Sequence, residues 1–154
     1  MASTAEALGK IHLFRGLAQV GLERVASIVT EESYPAGHLL FHEGDVGDKL
    51  YLVTEGKVRI SRQVAGMGEE ALAVLGPGSA FGEMALIDEV PRSADAIVHE
   101  RVKLAVLSKD AMQDLLFLHK DLAYEILWNI VRILSSRLRE TNDKMTFMSV
   151  SGKF

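Results

Sequence analysis

The chain has no cysteine anywhere in its 154 residues. Disulfide scaffolds, iron-sulfur clusters, cysteine-type zinc sites and thiol catalysis are therefore excluded, and the composition suits a reducing compartment. A leader is missing too: MASTAEALGKIHLF has no basic stretch followed by an apolar one, and no run is long enough to span a bilayer. A cytoplasmic, non-membrane protein is expected. A large positive charge is likewise absent, since the formal net charge is −4, which argues against a binder that gains affinity by neutralising nucleic-acid phosphates. There is no internal repeat, no low-complexity tract and no dinucleotide fingerprint. The nearest approach to a P-loop, GPGSAFG, lacks the lysine and the following Ser/Thr.

What is present falls into three stretches. Ser3 and Glu6 are spaced as a capping box, predicting a short helix to about His12, and Leu22, Val25, Ala26, Ile28 and Val29 predict a second over Gly21 to Val29. From Tyr34 the period drops to two. Short apolar runs (38-HLLF-41, 50-LYLV-53, 57-KVRISRQV-64, 71-ALAVL-75, 94-ADAIV-98, 102-VKLAVL-107) alternate with glycine-rich turns, and most of the thirteen glycines lie between Gly37 and Gly82. Such spacing predicts a small β-sandwich or jelly-roll barrel. After Ser108, a plausible N-cap, a helix is expected to about Leu118, a break over His119 to Asp121, and a long helix from Leu122 to about Met148. The fold class is thus α+β: a jelly-roll barrel between N-terminal short helices and a C-terminal helix pair, the last one long. A single domain, 1–154, divides into a helical segment 1–33, a barrel 34–107, helices 108–148 and a tail 149–154.

The long helix carries two apolar stripes. Ile126, Ile130 and Ile133 form one; Leu127, Val131, Leu134, Leu138, Thr141, Met145 and Met148 form the other, at spacings 4, 3, 4, 3, 4, 3. One stripe suffices to dock the helix on its own barrel. A sustained heptad-like second stripe calls for another helix, and a parallel homodimer is expected, with Thr141 as a polar seam residue.

The stretch 81-FGEMALIDEVPRSA-94 places Glu83 nine residues before Arg92, with glycine in front of the acid and small or apolar residues between. A cyclic nucleotide presents one anionic cyclic phosphate and one ribose 2′-hydroxyl on the same rigid unit. Arginine offers a planar, charge-assisted donor pair to phosphate, and a carboxylate accepts from the hydroxyl. Backbone N–H groups at the start of a short helix, Glu83 to about Ile87, would add donors, with Gly82 letting the backbone come close. Ala85 and Ala94 would leave the approach clear, and Ser93 adds a hydroxyl beside Arg92.

FGEMAL followed by PRSA resembles the phosphate-binding cassette of cyclic nucleotide-binding domains, the fold shared by catabolite activator proteins, protein kinase A regulatory subunits and cyclic nucleotide-gated channels. IHLFRGLAQVGLERVASIV resembles the family's N-terminal helical segment, GHLLFHEGDVGDKLYLVTEGKVRI its first strands, and the tail its closing helices. The resemblance implies that Glu83 takes the 2′-hydroxyl and Arg92 the phosphate, with Gly82, Met84, Ala85 and Ser93 completing the cassette. Thr141 and Asn142 match the Thr-Ser pair that bacterial activators present to adenine, with asparagine replacing serine. Serine after the cassette arginine leans toward cyclic AMP, with cyclic GMP also admitted.

These features together predict a stand-alone cyclic nucleotide sensor, not an enzyme, that has no cofactor and transmits ligand binding through its last helix to an unidentified protein effector. No direct nucleic-acid or membrane partner is expected. The alternatives are the ligand-binding half of a transcription regulator that ends before a helix-turn-helix domain, and a cupin-type metal enzyme using His38, His42 and Glu55. The second suffers from spacing, because His38 and His42 are four apart whereas inward-facing strand ligands should be two apart. His12, His99 and His119 are candidates for a haem ligand, though none sits in a motif that favours one.

Overall fold

The computed structural model describes residues 4–82 and 91–151. Its elements run α1 (Thr4–Gly9), a 3-10 turn (His12–Phe14), α2 (Gln19–Ala26), β1 (Thr30–Tyr34), β2 (Leu39–Phe41), β3 (Lys49–Val64), β4 (Gly68–Leu75), β5 (Ala80–Phe81), β6 (Asp95–Ser108), α3 (Lys109–Leu118) and α4 (Lys120–Ser151). The described strands form one antiparallel sheet with the path β1-β6-β3-β4; β2 pairs with β6, and β5 with β3. This is the jelly-roll-like α+β architecture, with helices before and after the sheet, although the sheet does not close into a complete barrel. No helix among the described residues is long and apolar enough to cross a membrane.

Two long strands, β3 and β6, organise everything else. Leu50, Tyr51, Leu52 and Val53 are four consecutive buried residues, and alternation sends them to two different cores. Leu50 and Leu52, with Ala105 and Leu107 of β6, face a helical core of Leu8, Ile11, Leu13, Phe14, Val25, Met112, Leu115, Leu122, Ile126 and Ile130. Tyr51 and Val53 face the inside of the roll, beside Val58, Phe81, Ala96, Val98, Val102, Leu104 and Val106. A strand buried on both faces reads as a continuous apolar run, and 50-LYLV-53 is one.

The structure departs from the expected boundaries in three places. First, a strand begins at Thr30, inside the segment assigned to helices, because the polar run TEESY pairs with β6 along one edge of the sheet and stays largely exposed. Second, Thr54–Gly56 is no turn between two strands. Gly56 (φ +81°) is a kink within β3, where the register with β6 shifts repeatedly, and a Cβ there would stand 2.0 Å from the Arg101 carbonyl oxygen. Only glycine admits both that conformation and that approach. The runs 94–98 and 102–107 likewise merge into β6. Third, the first helix stops at Gly9 and His12–Phe14 forms a separate 3-10 turn, while α2 starts and ends earlier than the sequence suggests.

At the C-terminal end the expectation and the structure agree closely. Ser108 caps α3 by accepting from the Ala111 N–H at 3.1 Å, and only His119 interrupts the helix before α4. The capping box at the first helix includes Ser3, which lies outside the described residues.

Candidate functional site

Of the expected cassette, Gly82, Arg92 and Ser93 are described; Glu83, Met84 and Ala85, with the short helix expected from Glu83, lie outside the described residues. The described part brackets the segment from both sides. Gly82 follows directly on β5 and takes a left-handed conformation (φ +82°). Arg92 lies three residues before β6.

The Arg92 backbone is held by the loop between β2 and β3. Its N–H donates to the Asp45 carbonyl at 2.8 Å, and its carbonyl accepts from the Gly44 N–H, also at 2.8 Å. The loop is in turn tied to β6, since the buried Asp95 carboxylate accepts from the Glu43 N–H at 2.6 Å, with His42 Nδ1 3.6 Å away. Arg62, which forms an ion pair with Glu43 at 2.9 Å, also donates to the Ser93 carbonyl at 3.0 Å. Hence the 42-HEGD-45 turn, legible in the sequence only as glycine-rich, is the support on which the arginine stands.

The guanidinium has equally definite surroundings. Its Nη2 donates to the Lys49 carbonyl at 2.8 Å, at the first residue of β3. Its Nη1 occupies the space that a side chain at Gly82 would need: a Cβ there would lie 2.5 Å away. Glycine at 82 is favoured by its φ, and the Lys49 carbonyl oxygen, 3.0 Å from where a Cβ would lie, narrows the space as well. Tyr51, nearby in the roll, has its phenol pKa raised, chiefly by burial, while the Arg92 charge works in the opposite direction. The phenol therefore stays neutral at physiological pH.

The other half of the expected site lies on α4. Thr141 is exposed and its hydroxyl donates to the Arg137 carbonyl one turn back, at 2.9 Å; Asn142 is exposed as well. Their side chains therefore stand at the helix surface, and a base contact would require ligand or a partner surface to come to them. One turn nearer the sheet, a cavity of about 270 Å³ separates α4 from the β4–β5 connection and the 3-10 turn, with Ile130, Ile133, Arg137 and Glu140 on the helix side and His12, Leu75 and Ser79 opposite.

Sequence reasoning missed one residue that fixes α4. Asn129, buried on the core face, donates from Nδ2 to the carbonyls of Leu13 (2.9 Å) and Arg15 (3.0 Å) and accepts from Arg132 at 3.2 Å. A polar residue interrupting an apolar helix face was the available signal. For the metal alternative, no group of three or more His, Asp or Glu among the described residues is gathered as a metal would need. His38 instead stacks on Tyr34, ring centroids 4.1 Å apart.

A jelly-roll-like sheet flanked by helices, with Gly82 just after β5 and a buttressed Arg92 just before β6, is the architecture of a recognisable class of domain. The comparisons with known proteins name that class: the cyclic nucleotide-binding domain model matches residues 31–119, and the chain belongs to that family. It is 40% identical over 137 residues to the cyclic AMP receptor protein of Thermus thermophilus, covering 89% of this chain and 62% of the relative. It is 29% identical over 151 residues to a CRP-like cAMP-activated global transcriptional regulator of Mycobacterium tuberculosis, covering 96% of this chain and 66% of that protein. The chain thus spans less than two thirds of the length of each. A solved cyclic nucleotide-binding domain from Methylobacillus flagellatus superposes with a TM-score of 0.80 at 31% identity, covering 93% of this chain and 80% of that one.

Proposed function

We propose that the chain is a cyclic nucleotide receptor, with cyclic AMP as its preferred ligand, and that it acts by binding and transmission. The observation that carries this reading is the placement of Arg92. Its backbone is locked to the 42–45 turn, and its side chain is ordered by the Lys49 carbonyl beside Gly82. An arginine so placed meets a phosphodiester with little reorganisation. Glu83 takes the ribose 2′-hydroxyl, with Met84, Ala85 and Ser93 completing the contact surface. Preference for cyclic AMP is supported by Ser93 and by the likeness to the cyclic AMP receptor protein of Thermus thermophilus.

Ligand shifts a population between a state with α4 apart from the cassette and one with Thr141 and Asn142 over the base; it can do so only by binding the second more tightly. The exposed stripe Leu127, Val131, Leu138 and Met145 supports a parallel homodimer through α4, with a protein effector reading its state in a cytoplasmic setting. The reading as the ligand-binding part of a transcription regulator is supported by the coverage of the two longer relatives, and the chemistry at Arg92 is the same in both.

Titration calorimetry with cyclic AMP, cyclic GMP and cyclic di-GMP tests the proposal. Cyclic AMP should bind most tightly, and Arg92→Ala should weaken it at least about a hundredfold, the loss expected for two charge-assisted hydrogen bonds. Unchanged binding by the Arg92→Ala protein would falsify the assignment.

A further inference from the structure

Arg92 carries its charge across the face of an aromatic ring. The guanidinium carbon lies 4.3 Å from the Phe41 ring centroid and 5.9 Å from that of Tyr51, within the range in which a ring's quadrupole attracts a cation. Phe41 is braced in turn. Tyr51 and Phe81 are register partners across β3 and β5, stacked at 5.0 Å with 6° between their planes, and Phe41 tilts against them at 5.9 and 6.1 Å. Tyr51 and Phe81 are buried in the core inside the roll, and half-buried Phe41 packs against it.

Among the contacts of the guanidinium, the Lys49 carbonyl accepts from Nη2, and the guanidinium carbon sits over the Phe41 ring. Arginine has many rotamers, and ordering them on ligand binding opposes association; an arginine already ordered loses less. We propose that Phe41 is a positioning residue for the anion-binding arginine: its π face pre-orders Arg92, and affinity for a cyclic phosphodiester depends on the electron density of that ring. The inference rests on the cyclic nucleotide reading of the same site and assigns a role to a residue 51 positions away from Arg92 in the sequence. It also has a sign. A ring that merely parked Arg92 in a resting pose would oppose ligand, and weakening it would tighten binding.

The test replaces Phe41 in the full chain with mono-, di- and trifluorophenylalanine, which keep the ring's shape while draining its π face stepwise, and with leucine, which fills apolar volume without one. Cyclic AMP affinity is read by calorimetry. The expected result is a graded weakening that reaches about three- to tenfold for the trifluoro ring, with Phe41→Leu at least as weak. Affinity that stays constant along the fluorinated series, or tightens, overturns the proposal. Failure of the unsubstituted chain to bind any cyclic nucleotide overturns instead the reading of the site beneath it, and this inference with it.

Discussion

The two halves of α4 obey different rules. In the first, Leu122, Ile126, Asn129 and Ile130 are buried, Ile126 and Ile130 to 0% and 2% exposure, and Asn129 ties the helix to the 3-10 turn. From Ser135 to Thr146 every described residue is exposed, including Leu138 at 61% and Met145 at 63%. One helix therefore combines a segment with one face buried on its own fold, its other face carrying exposed Leu127, Trp128 and Val131, with a segment whose apolar residues are all exposed. Isolated exposed apolar side chains are ordinary, but a heptad-spaced series on one helix is what an absent partner helix would require.

That contrast can be broken or sharpened by substitution. The largest effect is expected in the first half: Ile126→Ala leaves a cavity in the helical core and should lower unfolding free energy by about 2–5 kcal/mol in chemical denaturation. Asn129→Ala should come next, at about 1–3 kcal/mol, since a buried carbonyl at Leu13 and a part-buried one at Arg15 lose their donor. In the second half the expectation inverts. Leu138→Glu should change the unfolding free energy of the monomer by no more than about 0.5 kcal/mol, yet convert the proposed dimer to monomer in sedimentation experiments. An unchanged dimer would move the seam elsewhere. The smallest effect is assigned to Thr141→Ala, about three- to tenfold weaker cyclic AMP binding with stability untouched; equal affinity would remove Thr141 from the site.

Much of the architecture was legible because its signals are local. The Ser108 cap, the apolar run 50–53 and the extent of the last helix each follow from residues adjacent in the chain. What escaped depends on pairing at a distance. β1 falls within the segment assigned to helices because one edge of a sheet demands hydrogen bonds rather than apolar side chains, so TEESY carries no strand-like apolar alternation. Gly56 reads as a turn because a kink inside a long strand uses the same residue as a turn. The candidate site divides similarly: Gly82 and Arg92 announced themselves by motif, while the 42–45 turn, Lys49 and Phe41 serve Arg92 through contacts that no periodicity encodes.

The alternation along β3 has a mechanical corollary. Tyr51, beside Arg92, and its neighbours Leu50 and Leu52, which press on the helical core, belong to one extended backbone and point to opposite sides of it. A change of a fraction of an ångström in that backbone is felt by both layers at once, like a shared wall between two rooms. No chain of intermediary side chains has to be invoked between the arginine's surroundings and the packing beneath the first turns of α4.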